Sequence, residues 1–77
     1  MTQEIVAPLD GKVFQLNTKA GDKVDEEEEI LVIEAMKMET PIFTPCGGTV
    51  REVRVIEGDE VAENDVLAVI DEEHIEV

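Results

Sequence analysis

The sequence has one cysteine, Cys46, no tryptophan or tyrosine, two phenylalanines, and six basic residues against twenty acidic ones. Each scarcity excludes something. A single thiol leaves no internal disulfide and fits a reducing compartment, so a cytoplasmic location is expected. No apolar run approaches the roughly 18 residues needed to cross a bilayer. The N-terminus has no basic-then-apolar signal pattern, and a soluble chain is expected. With Lys and Arg so sparse there is no cationic cluster to grip phosphates, which argues against nucleic acid and against an anionic membrane surface. The near-absence of aromatics leaves Val, Ile, Leu and Met to fill an interior.

What is present is a short, acidic, aliphatic chain. Its 77 residues are expected to form one domain spanning 1–77, and 43 % hydrophobic content is enough for a core. A domain this small buries only about 60 % of its unfolded surface, so its stability margin is thin. A net charge of −14 gives solubility together with self-repulsion. A basic docking partner is the other reading of that charge.

The organising feature is an internal repeat. Sliding the sequence by 37 positions aligns Ile5–Glu34 with Ile42–Asp71 without a gap, and ten of the aligned positions are identical. They include Pro8 with Pro45, Gly11 with Gly48, Val13 with Val50, Gly21-Asp22 with Gly58-Asp59, Val24 with Val61, and Val32-Ile33 with Val69-Ile70. Two copies are too few for a solenoid. A closed, pseudo-twofold arrangement is expected, each half covering the apolar face of the other.

Each copy reads as strands separated by turns. Pro8-Leu9-Asp10-Gly11 and Pro45-Cys46-Gly47-Gly48 are turn segments, because Pro presets φ and Gly accepts unusual backbone angles. β-Branched stretches follow at Lys12–Leu16 and Thr49–Val55, then turns at Gly21-Asp22 and Gly58-Asp59. Short runs around Val24 and Val61 precede strands at Ile30–Glu34 and Val66–Asp71. Many short strands at regular spacing predict a small all-β sandwich or barrel. Propensity alone would make a helix of Glu26 through Lys37. The equivalent segment, Glu63 to Asp71, is too rich in Asn and Asp and then too short and β-branched for one. Two copies of one unit fold alike, so a turn and then a strand are expected in both.

Between the copies lies Ala35-Met36-Lys37-Met38-Glu39-Thr40-Pro41. As a short connector of two strands it predicts a hairpin over 35–41 whose central residues project into solvent. Lys37 is the only cationic residue between Lys23 and Arg51. Its repeat-equivalent is His74, so the two ends of the pseudo-dyad are chemically different. Met36 and Met38 would sit exposed beside it, adding nothing locally but offering flexible thioethers to a partner's surface. The other candidate sites are weak. His74 with Glu72, Glu73 and Glu76 has the composition of a solvated tail rather than a metal site. Glu26–Glu29 lacks the alternating ligands and turn glycine of a calcium loop and reads as a solvated strand edge. Cys46 has no basic neighbour in sequence to make it nucleophilic.

Glu34-Ala35-Met36-Lys37-Met38, set between two Gly-Asp-containing half-repeats, resembles the attachment site of the biotinyl (biotin carboxyl carrier) domains of the biotin/lipoyl attachment family. The resemblance runs from about Glu4 to Asp71, and its Ala-Met-Lys-Met core is highly specific. It implies a flattened β-barrel of two four-stranded antiparallel sheets related by a pseudo-dyad. It implies biotin joined by an amide to Lys37, with Glu34, Ala35, Met36, Met38 and Glu39 as the recognition residues around it. The implied partners are a biotin protein ligase, which presents an activated biotinyl group, and the biotin carboxylase and carboxyltransferase (or decarboxylase) components between which a carboxyl group is carried. Such a domain is a mobile substrate and not an enzyme, since the cofactor carries the chemistry.

Two departures from the family stand out. The turn position often occupied by Gly is Glu27 in one copy and Asn64 in the other, and Glu tolerates the left-handed region poorly, so a strained turn is expected there. The ungapped repeat also leaves no room for the "thumb" insertion of some bacterial carriers, which puts this chain with the thumbless ones. Two other readings remain open on the residues: a lipoyl carrier, whose lysine usually follows Asp rather than Met, and an unmodified acidic interaction module in which Lys37 is incidental.

Overall fold

The first half lays down four strands: β1 (Thr2–Val6), β2 (Gly11–Leu16), β3 (Lys23–Val24) and β4 (Glu29–Ala35). The second half repeats them as β5 (Met38–Phe43), β6 (Gly48–Val53), β7 (Glu60–Val61) and β8 (Val66–Glu72). These assignments come from a computed structural model in which residues 1–72 are described. Glu73, His74 and Glu76, and with them the comparison of the two dyad-related ends, lie outside the described residues.

The strands form two four-stranded antiparallel sheets, ordered β1-β8-β6-β3 and β5-β4-β2-β7. Adding one repeat length to every strand converts the first order into the second, so the pseudo-dyad exchanges the sheets. The halves do more than cover one another. Each sheet takes two strands from each half, so neither half holds a complete sheet alone. Even the irregularities repeat: the register slips between Val13 and Gln15 in β2 and between Val50 and Glu52 in β6.

The core is aliphatic and follows the repeat. Ile33 and Ile70, Ile30 and Leu67, and Val13 and Val50 are equivalent pairs, all essentially inaccessible to solvent. The sequence expectation that methionine would share this interior does not hold. Met1, Met36 and Met38 are all exposed, as are Phe14 and Phe43, so β-branched residues and leucine fill the core without them. Two further expectations are corrected. Glu26–Glu28 form the turn that leads into β4, which is an inner strand between β5 and β2, so this acidic run guards no sheet edge. The real edges are β1, β3, β5 and β7. Two of these are only two residues long, and β5 carries Pro41, both of which blunt strand addition.

Paired side-chain caps close the turns in each half. Asp22 Oδ2 accepts the Lys19 N–H at 3.1 Å and Asp59 Oδ2 accepts that of Ile56 at 3.0 Å. Glu28 Oε1 accepts the Asp25 N–H at 3.1 Å, and Asp65 Oδ2 accepts that of Ala62 at 2.8 Å. Between these caps Glu27 lies at φ 67° and Asn64 at φ 75°, both left-handed. Asn accommodates that region and Glu does not. Glu27→Gly is therefore expected to raise stability by about 0.5–1 kcal/mol, read as a higher urea midpoint at unchanged slope. Asn64→Gly, which relieves little, serves as the control.

Candidate functional site

The hairpin between β4 and β5 is tighter than the sequence indicated. The pairing runs Ile33–Thr40, Glu34–Glu39 and Ala35–Met38, leaving a two-residue loop of Met36 and Lys37. Residues 38–41, expected within the connector, belong to β5. A two-residue loop that matches the right-handed strand twist needs left-handed angles at both positions, which is why Asn-Gly is favoured there. Here Met36 has φ 52° and Lys37 φ 67°. Neither side chain eases that region, and each left-handed residue costs roughly 1–2 kcal/mol. Strain of this kind, held in a domain with a thin stability margin, is characteristic of positions kept for function.

Exposure alone does not single out Lys37, because Lys12, Lys19 and Lys23 are exposed too. Backbone does. Lys12 and Lys23 lie on strands, and Lys19 sits in a turn held by Asp22 through its N–H and carbonyl. Lys37 is the only lysine with positive φ, and it stands at a loop apex beside Met36, whose exposure is 94 %, and Met38, at 69 %. Among the described residues the ion pairs are Arg51–Asp71 and Arg54–Glu52, so the Lys37 amine is engaged in neither.

Just below the tip, strand register aligns Glu60, Lys12, Glu34 and Glu39 across all four strands of the sheet. All four are exposed. Glu34 and Glu39 stand directly opposite each other, an arrangement that destabilises a strand pair, with Lys12 on the far side of Glu34. The equivalent row at the other end of the dyad is Lys23, Thr49, Asp71 and Thr2. The row beneath the lysine tip therefore holds three carboxylates and the equivalent row one. The structure thus brings Glu34, Ala35, Met36, Lys37, Met38 and Glu39 together on one projecting hairpin. Sequence reasoning missed Lys12 and Glu60, because only the sheet order places them beside it.

Cys46 is partly buried, and its thiol is pushed up mainly by burial. The carboxylate of Glu72 adds to that push, and Glu26 adds less; a hydrogen bond with Thr44 opposes it. Its thiolate accordingly forms later than that of a free cysteine. Alkylation by iodoacetamide near pH 8 is expected to be several-fold slower in the folded chain than in urea, with reactivity rising only at more alkaline pH.

A double sheet thus carries one lysine at a two-residue apex of positive φ. Residues 3–70 match the family described as biotin-requiring enzymes, and the chain belongs to that family. The biotin/lipoyl attachment protein of Bacillus subtilis is 44 % identical over 57 residues, which are 74 % of this chain and 78 % of that protein. The human mitochondrial propionyl-CoA carboxylase alpha chain is 44 % identical over 61 residues, 79 % of this chain but 8 % of the relative. Among solved structures, a single-chain, multi-domain long-chain acyl-CoA carboxylase superposes with a TM-score of 0.88 at 26 % identity, covering 94 % of this chain and 7 % of that one. The urea carboxylase of Kluyveromyces lactis gives 0.86 at 27 % identity, over 92 % of this chain and 6 % of that one. The chain thus spans most of the small attachment protein and less than a tenth of these carboxylases. It is a biotin-carrier domain.

Proposed function

We propose that Lys37 is the biotin acceptor and that the domain carries the tethered group between active sites of a biotin-dependent carboxylase or decarboxylase, catalysing nothing itself. The observation that carries this reading is the apex: a non-glycine, left-handed residue on a two-residue loop whose side chain is a lysine. The residues fit the group. The apex offers one exposed primary amine outside the described ion pairs, and amide formation needs no more from the acceptor.

When bound, the group supplies a ureido nitrogen that accepts a carboxyl group and gives it up again. The protein's contribution is presentation. Acylation needs a free amine as nucleophile, and readying that amine for attack falls to the biotin protein ligase. The ligase reads Met36, Met38 and Ala35 as shape and Glu34 and Glu39 as charge. Tethering then turns each visit to an active site into an encounter within one complex, at effective concentrations of about millimolar for a flexible link.

The test is intact mass after incubation with biotin and a biotin protein ligase, followed by peptide mapping. The expected result is a gain of one biotinyl group on the peptide containing Lys37. An unmodified chain, or label on Lys12, Lys19 or Lys23, would sink the assignment.

A further inference from the structure

Gly11 differs in kind from Gly21 and Gly58. Gly21 and Gly58 both lie at φ 96° with open space around them, so they are required by backbone conformation. Gly11 is outside the left-handed region, and its lack of a side chain is a matter of room. A Cβ built on Gly11 falls 2.5 Å from Ile33 Cγ2, 2.7 Å from the Glu34 carbonyl oxygen and 3.3 Å from Ala35 Cβ. The first two are closer than non-bonded atoms approach. One belongs to a buried, β-branched side chain and the other to backbone, so neither yields cheaply.

Those three neighbours are the last residues of β4 before the Met36-Lys37 loop. On its other side Gly11 pairs with Val61 of β7. The gap at Gly11 therefore lets β2 close against the foot of the hairpin at the point where β4 delivers its tip. We infer that Gly11 is a positioning residue for modification: by admitting close approach of Ile33, Glu34 and Ala35, it fixes where the Lys37 apex stands for the enzyme that acylates it.

The inference rests on Lys37 being the acceptor, and its consequence is kinetic. A ligase that activates the acyl group in its own site needs the incoming amine correctly placed. Displacement of a reacting group by about 1 Å can cost on the order of 100-fold. A Cβ at Gly11 pushes on the strand that ends in the apex, while the residues of the apex itself are unchanged. The loss is therefore expected in kcat and not in KM.

The experiment measures steady-state biotinylation of the whole chain by a biotin protein ligase for wild type, Gly11→Ala and Gly48→Ala. Gly48→Ala makes the same chemical change at the dyad-related position, where Gly48 pairs with Val24 and Glu72 at the opposite end of the sheets. Gly11→Ala is expected to lower kcat about 10- to 100-fold with KM within about twofold, and to speed amide exchange at the hairpin. Gly48→Ala is expected to leave kcat within about twofold of wild type, whatever it does to melting temperature.

Equal losses of kcat in the two variants would reduce Gly11 to a structural role, and wild-type kcat in Gly11→Ala would remove the inference outright. If Gly11→Ala does not fold, Ile33→Ala, which removes the Cγ2 atom nearest Gly11, is read in its place against the dyad-related Ile70→Ala, both in osmolyte: a lower kcat in Ile33→Ala alone supports the inference and equal kcat in the two overturns it. A wild-type chain that takes no label at Lys37 would instead overturn the acceptor assignment, so the two failures are distinct.

Discussion

Lys37→Arg leaves the chain at its unmodified mass after exposure to biotin and a biotin protein ligase, under conditions that convert wild type fully. The effect is all-or-none, because a guanidinium has no acceptor amine with comparable nucleophilicity, whatever the ligase contributes. It is also cleanly separable from folding. Arg retains the charge and must occupy the same left-handed position, so stability stays within about 0.5 kcal/mol of wild type. The informative companion is the double variant Met36→Asn, Lys37→Gly. It supplies the residue pair that a two-residue loop with two positive φ angles favours. It is expected to lose all labelling and to gain about 1–2 kcal/mol, which at roughly 4–8 °C per kcal/mol in a domain of this size is a readily measured rise in melting temperature. A lysine kept merely as surface decoration would give no such opposition between labelling and stability. A labelled Lys37→Arg chain would end the assignment. A double variant no more stable than wild type would remove the claim that the apex stores strain, and leave the acceptor assignment standing.

The fold was legible in pairs of residues and not in single ones. Matches such as Val13 with Val50 and Ile33 with Ile70 overrode the helical propensity of Glu26–Lys37, and that segment is a turn followed by β4. The left-handed turn at Glu27 was legible from the family resemblance instead, since a position often occupied by Gly was filled by Glu. What the pattern did not reveal is long-range. β1 reads as Thr2-Gln3-Glu4-Ile5-Val6, with Ile5 alone buried, so it carries too little apolar alternation to announce a strand. β5 begins inside the stretch that looked like a connector, because Met38, Glu39 and Pro41 are unusual strand residues that only pairing with β4 makes intelligible. The exchange of strands between sheets has no local signature, since a repeat says that two units are alike and not how they interleave. At the site, the hairpin residues were legible as a contiguous motif. Lys12, Glu60 and the close approach at Gly11 depend on sheet order, and only the three-dimensional pairing could supply them.

Ile33→Ala and Ile70→Ala are each expected to cost about 2–5 kcal/mol, the range for emptying a fully buried aliphatic site. Both side chains are wholly inaccessible and occupy equivalent positions under the pseudo-dyad. A domain of this length holds only about 4–12 kcal/mol in total, so either loss brings the unfolded state to a measurable fraction. Ile56→Ala, at a residue 68 % exposed, should change stability by less than about 0.5 kcal/mol. Urea titration followed by circular dichroism checks all three. The two core variants separate again when labelling is measured, because their equivalence is broken by what each half presents. Ile33 abuts the gap at Gly11, one residue before Glu34 and four before Lys37, whereas Ile70 lies on β8 in the other sheet. Ile70→Ala should therefore be labelled in proportion to its folded fraction alone, recovering the wild-type rate when an osmolyte restores folding. Ile33→Ala should stay slow after the same rescue, because the foot of the hairpin has lost the side chain that packs it against β2. Identical recovery of both variants would show that the domain's contribution to modification is simply to be folded, and that the packing beneath the apex adds nothing beyond that.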